Sequence, residues 1–79
     1  MAATGSGEAV VLFYTIHDLF VLEKALVGRG LEVKAIPTPR ELSSDCGMAL
    51  SFDAARSETV RAEIERLGLE VQGIHELVS

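Results

Sequence analysis

The sequence predicts a small α+β domain with the element order βαββαβ. Segments rich in β-branched and aliphatic residues alternate with segments whose apolar residues recur at helical spacing, and glycine or proline separates them. The tetrapeptide Gly-Leu-Glu-Val occurs twice, each time after a helix-like segment, so the 79-residue chain divides into two βαβ-like halves. With right-handed crossovers, this is the order of the ferredoxin-like two-layer sandwich, which has a four-stranded antiparallel sheet and both helices on one face.

Each predicted element follows from its own residue pattern. The first strand is apolar on both faces, as a central strand is, and the first helix has Leu19, Leu22 and Leu26 at helical spacing after Thr15 as a capping residue. We predict strands at Ala9–Ile16, Leu31–Ile36, Met48–Phe52 and Leu69–Ile74, helices at His17–Gly30 and from Asp53 or Ser57 to Leu67, and a helical turn at Pro39–Ser43. Residues 1–7 are expected to be a flexible leader, and residues 8–79 the domain.

The strand arrangement predicts which residues share an edge of the sheet. The expected strand order is 4-1-3-2, with the first and third strands central and parallel. Under that arrangement His75 lies at the same edge as Cys46, whereas His17 and the N-termini of both helices lie at the opposite edge. Arg40, backbone N–H groups of the loop and His75 are then the candidates for stabilising a thiolate at Cys46.

Composition excludes several classes of function. The net charge is −5, and the seven lysines and arginines are dispersed among twelve acidic residues, which disfavours nucleic acid as a partner. The longest near-apolar run, Ala9–Ile16, is too short to span a membrane, and the N-terminus lacks the pattern of a signal peptide, so a cytoplasmic location is expected. No cofactor is expected, and the two histidines are too far from the cysteine in sequence to predict a four-ligand zinc site.

Cys46 is the only cysteine, which excludes an intramolecular disulfide and an internal dithiol. It is preceded by two serines and an aspartate and followed by Gly47, which leaves space beside the sulfur and permits a turn closed to other residues. This polar setting favours a functional thiol. Free cysteine is also often a simple packing residue, so two hypotheses stand: a thiol that exchanges with other molecules, and a binding module in which Cys46 is structural.

The other polar candidates have plainer interpretations. His17 is expected to begin the first helix, and His75 to lie on the surface near a frayed end. Glu58, Glu63 and Glu65 are expected to form the solvated side of the second helix.

Residues Ile36–Phe52, IPTPRELSSDCGMALSF, resemble the signature of a family of short bacterial and archaeal proteins described as Putative Se/S carrier protein-like. The shared pattern is a strand, a Thr-Pro-Arg segment, serines, a Cys-Gly pair and another strand. Thr15, His17 and Asp18 follow the first strand as similar residues do in that family, and GLEVQGIHEL resembles its ending. The resemblance extends over nearly the whole chain from Glu8.

The resemblance implies a carrier that holds sulfur or selenium on Cys46 as a persulfide or its selenium equivalent. The loop residues that match the family are Pro37, Pro39, Arg40, Ser44 and Gly47, and of these we assign Arg40, Ser44 and Gly47 to the site. The implied partners are a cysteine desulfurase-like donor protein and an acceptor protein. Such a chain is a transfer protein rather than an enzyme that turns over a free substrate.

Two further expectations concern surfaces. If Val11, Phe13, Met48 and Leu50 face the helices, then Val10, Leu12, Tyr14 and Ala49 face away from them. In either orientation the first strand leaves an apolar patch on the uncovered face, which predicts a homodimer or a partner docked on the sheet. Transfer chemistry also requires that Cys46 be at least partly accessible to solvent, at the tip or root of its loop.

Overall fold

A computed structural model describes residues 7–42 and 46–77 of the chain. The elements are β1 (Glu8–Phe13), α1 (Ile16–Gly28), β2 (Val33–Pro37), β3 (Met48–Asp53), α2 (Ser57–Leu67) and β4 (Val71–Leu77), with a short 3-10 turn (Ala54–Arg56) before α2. The predicted order βαββαβ is confirmed. Neither helix in the described ranges is long and apolar enough to cross a membrane.

The sheet has the order β2-β3-β1-β4, as predicted, and every neighbouring pair is antiparallel. The expectation that β1 and β3 run parallel is wrong. Segment 38–47 connects neighbouring strands directly, so β3 runs opposite to β2. The crossover through α1 makes β2 run in the same direction as β1. Since β3 runs opposite to β2, it also runs opposite to β1. The residues at each edge of the sheet therefore differ from those expected.

One face of the sheet packs against both helices. Alternate residues of β1 and β3 point to this face, as the strand period requires. The helix-face cluster contains Ala9, Val11, Phe13, Leu19, Leu22, Leu26, Leu50, Phe52, Val60 and Ile64. The sequence left two orientations of the strands open, and the structure has the one in which Val11, Phe13 and Leu50 face the helices.

The opposite face is also buried at its centre. Val10, Leu12 and Ala49 form a small cluster there and are at most 3% exposed. Ile36, Leu42 and Leu77 pack against it. The expected uncovered apolar patch is therefore not present at these residues. The homodimer remains a prediction, but an exposed patch at these residues no longer supports it.

Both Gly-Leu-Glu-Val segments close a helix before they enter a strand. Gly30 and Gly68 have left-handed backbones, with φ of 86° and 68°. The amides of Leu31 and Leu69 then donate to carbonyls five residues back, at 3.0 and 3.1 Å, in the pattern of a Schellman motif. Each following strand consequently begins two residues later than predicted.

Pro37 is the last residue of β2 rather than the residue that stops it. The Thr38 N–H donates to the Gly47 carbonyl at 3.1 Å, so the preceding pair, Pro37 and Met48, is a non-hydrogen-bonded pair of the antiparallel ladder. On this edge strand, the missing N–H of proline would have pointed away from β3, so the ladder loses nothing.

Glu63 is buried, which corrects the expectation that it belongs to the solvated side of α2. Its side chain is 1% exposed and accepts hydrogen bonds from Nε of Arg66, 2.7 Å from Oε1, and from Nε of Arg29. Arg29 follows α1, so this ion pair joins the two helices. Glu58 and Glu65 are exposed, as predicted.

Candidate functional site

Cys46 lies at the root of the loop between β2 and β3, two residues before β3 begins. The residue is partly buried, and it packs against the helix-face cluster together with Met48. Part of the residue is thus exposed, as thiol exchange requires, while part contacts the core. Its position is thus compatible with both hypotheses from the sequence, a thiol that exchanges with other molecules and a structural cysteine in a binding module.

Both backbone groups of Met48 contact the sulfur. The thiol of Cys46 donates to the Met48 carbonyl oxygen, with 3.1 Å between Sγ and O. The Met48 N–H in turn donates to Sγ, with 3.4 Å between N and Sγ. The first residue of β3 therefore fixes the position of the sulfur.

Gly47 provides the turn that makes these contacts possible. Its φ is 75°, in the left-handed region that residues with a side chain rarely adopt. Apart from its chain neighbours Cys46 and Met48, a Cβ added at this position would meet no atom within 4 Å, so the requirement for glycine comes from the backbone conformation. The residue is exposed, as its proposed place beside an open thiol implies.

The antiparallel sheet places different neighbours at the Cys46 edge from those expected. The start of β3 lies beside the end of β1, since Leu12 pairs with Ala49. The N-terminus of α1, and with it His17, therefore lies at the Cys46 edge. His75 pairs with Val10 and is displaced toward the other edge, where the N-terminus of α2 also lies.

This correction was available from the sequence. A direct connection between neighbouring strands reverses the chain, and applying that rule to segment 38–47 would have put Thr15 and His17, rather than His75, near Cys46. At this edge the Thr15 hydroxyl accepts the Asp18 N–H at 3.3 Å and caps α1.

The remaining predicted site residues are less closely tied to the thiol. Arg40 is exposed, in a turn that the Leu42 N–H closes by donating to the Pro39 carbonyl at 3.0 Å. Within the described ranges, no hydrogen bond joins Arg40 to Cys46. Ser44 lies outside the described residues, as does Ser43 at the end of the predicted helical turn.

An open surface cavity of about 810 Å³ lies at the edge opposite Cys46. It is lined by Gly7, Glu8, Val27, Leu31, Glu32, Val33, Lys34, Ser51, Phe52 and Asp53. None of these residues belongs to the loop that holds the thiol. The cavity is therefore separate from the candidate site at Cys46.

Comparison with known protein families identifies a family that includes this chain. The model of a protein family described as Putative Se/S carrier protein-like matches residues 8–76, and this confirms the resemblance seen in Ile36–Phe52. No curated protein and no solved structure matches the chain.

Proposed function

Because the chain belongs to the Se/S carrier family, we propose that it carries a sulfur or selenium atom on Sγ of Cys46, between a cysteine desulfurase-like donor and an acceptor protein. The family match over residues 8–76 is the observation that carries the proposal. The partly exposed position of the only cysteine supports it.

The transfer step requires only a thiol on each side. Cys46 releases its proton to a base in solution, and Sγ attacks the terminal sulfur of a persulfide on the donor. A bond forms between Sγ and that sulfur, the sulfur–sulfur bond of the donor breaks, and the donor leaves as a thiolate. Delivery to the acceptor repeats the same exchange from Cys46.

A single cysteine suits a chain that has to hold a persulfide. A second thiol nearby would attack Sγ of the persulfide, form a disulfide with Cys46 and expel the loaded sulfur as sulfide. This sequence has no second thiol. A reducing compartment such as the cytoplasm would keep the unloaded thiol free, so we propose that the carrier works there.

Mass spectrometry after incubation with a cysteine desulfurase and cysteine tests the proposal. We expect wild-type protein to gain one sulfur atom on Cys46, and the gain to disappear on treatment with a reductant. Cys46→Ser should gain none and keep its fold, with a change in the free energy of unfolding below about 1 kcal/mol, because the site is only partly buried. Sulfur uptake by Cys46→Ser, or none by wild type, would contradict the carrier function.

One observation favours a second candidate, a binding module in which Cys46 is a packing residue. Cys46 contacts the helix-face cluster, as a small apolar side chain would. In that case Cys46→Ser should lower the free energy of unfolding by more than about 1 kcal/mol, whereas Cys46→Val should not. The wild-type thiol should also take up no sulfur.

A further inference from the structure

The backbone contacts of Cys46 distinguish between chemical states of its sulfur. A neutral thiol can donate its hydrogen to the Met48 carbonyl and accept the Met48 N–H at the same time. A thiolate has no hydrogen to donate, and a persulfide has none on Sγ. Both of these states therefore keep the contact with the N–H and lose the one with the carbonyl.

The carbonyl contact is the shorter of the two, at 3.1 Å against 3.4 Å for the N–H. On deprotonation, a negative sulfur would face the negative end of the carbonyl dipole at that distance. The Met48 carbonyl therefore holds the thiol hydrogen, and this contact has to break before Sγ can react, since the thiolate is the nucleophile.

We propose that the hydrogen bond to the Met48 carbonyl slows the reaction of the Cys46 thiol in the unloaded carrier, an effect called the guard below. Gly47 is the positioning residue that keeps this carbonyl next to Sγ. The proposal rests on the proposed carrier function, for which it specifies regulation of the same site. The free protein then reacts slowly with thiol reagents in solution. A donor protein has to move Sγ away from the Met48 carbonyl before sulfur transfer begins.

Gly47 sets the guard through its backbone conformation. Its φ of 75° turns the Met48 peptide back toward Sγ. A β-branched residue strongly disfavours this conformation, whereas asparagine tolerates it. Because a Cβ at position 47 meets no atom within 4 Å outside its two chain neighbours, valine and asparagine, which are similar in size, differ here mainly in backbone preference.

The rate of alkylation of Cys46 by iodoacetamide, at fixed pH, tests the guard. Gly47→Val should lose both Met48 contacts, and we expect it to react faster than wild type by up to about tenfold, because the loss of the shorter carbonyl contact outweighs the loss of the N–H contact. Gly47→Asn should react at nearly the wild-type rate. The matched pair Gly30→Val and Gly30→Asn changes another open, left-handed glycine, with φ of 86°, and should leave the rate unchanged.

A second variant weakens the carbonyl directly, in case Gly47→Val does not fold. Cys46 is a suitable junction for joining two synthetic fragments, so Ala49 can be replaced by its α-hydroxy acid, which turns the Met48 carbonyl into a weaker ester acceptor. The same change at Ser51 is the control, because it removes an equivalent amide from β3 away from the sulfur. We expect faster alkylation only for the Ala49 ester.

Equal alkylation rates for the two esters, or slower alkylation of Gly47→Val than of Gly47→Asn, would overturn the guard. These results are independent of sulfur loading. If the Ala49 ester is alkylated faster but wild type takes up no sulfur, the guard stands and the carrier function fails. If wild type is loaded by a desulfurase while the two esters react equally, the carrier function stands and the guard fails.

Discussion

Helices α1 and α2 occupy equivalent places in the two βαβ-like halves, and both lead into Gly-Leu-Glu-Val. Each ends with a left-handed glycine and with a leucine N–H that bonds to a carbonyl five residues back. Their buried faces nevertheless differ. α1 buries Leu19, Leu22 and Leu26, whereas α2 buries Val60, Ile64 and the carboxylate of Glu63.

The difference shows how the two halves are joined. The apolar face of α1 packs on the sheet by shape and burial alone. Glu63 of α2 instead binds Arg29, which follows α1, and Arg66 one turn along α2. A charged contact between the halves makes the docking of α2 dependent on pH, while α1 contributes only aliphatic packing.

The largest effect should come from removing apolar volume under α1. Leu22 is fully buried, and Leu22→Ala should lower the free energy of unfolding by about 2–5 kcal/mol through lost burial and the cavity left behind. Ile64→Ala, under α2, should cost less within the same range, because Ile64 is 8% exposed and its surroundings can relax. Urea denaturation measures both losses.

A loss of this size approaches the whole stability of a small domain. The milder pair Leu22→Val and Ile64→Val therefore serves as a second comparison. An equal or larger loss at Ile64 in both pairs would show that the two helices share the apolar core evenly, contrary to the difference inferred from burial.

The next effect concerns the Glu63 contact. The hydrogen bond from Arg66, followed by that from Arg29, holds the pKa of Glu63 below its usual value of 4.5, although burial acts to raise it. A carboxyl group whose pKa is lower in the folded than in the unfolded chain stabilises the fold at any pH above its pKa in the unfolded chain. That contribution is lost as the pH falls below 4.5 and through the folded pKa.

Glu63→Gln isolates this contribution, because the other carboxyl groups are the same in both proteins. Wild type should be the more stable near pH 7, and the difference between the urea midpoints should shrink as the pH falls below 4.5. Glu58→Gln, at an exposed position of α2, should give no such trend. If the difference in urea midpoint between wild type and Glu63→Gln does not change with pH, the charge of Glu63 does not contribute to stability.

The contrast between α1 and α2 also marks what the sequence could predict. The helix ends followed from glycine, whose φ requirement is local. Strand alternation showed that Val11 and Phe13 lie on the same side of β1, but which side faces the helices was decided only by the packing. The burial of Glu63 could not be predicted, since it depends on Arg29, which lies far away in sequence and reaches the carboxylate only after the halves have packed together.

At the candidate site, the sequence identified Cys46 and Gly47 because a lone cysteine before glycine in a polar loop is a local pattern. The sequence predicts His75 beside them, whereas the antiparallel pairing of β1 and β3 brings the start of α1, with His17, to that edge. The contacts between Sγ and Met48 could not be predicted, because they depend on the φ of Gly47, and glycine alone is compatible with many values of φ.

The smallest expected effect tests the start of α1, at the Cys46 edge. The Thr15 hydroxyl accepts the Asp18 N–H at 3.3 Å, whereas Arg56, at the equivalent position before α2, makes no side-chain capping bond. Thr15→Ala should therefore lower the free energy of unfolding by about 0.5–1 kcal/mol, and Arg56→Ala should change it by less than about 0.5 kcal/mol. Urea midpoints at neutral pH measure both changes. Equal losses would mean that the Thr15 cap adds nothing at the start of α1, and that the two helices differ only in what they bury.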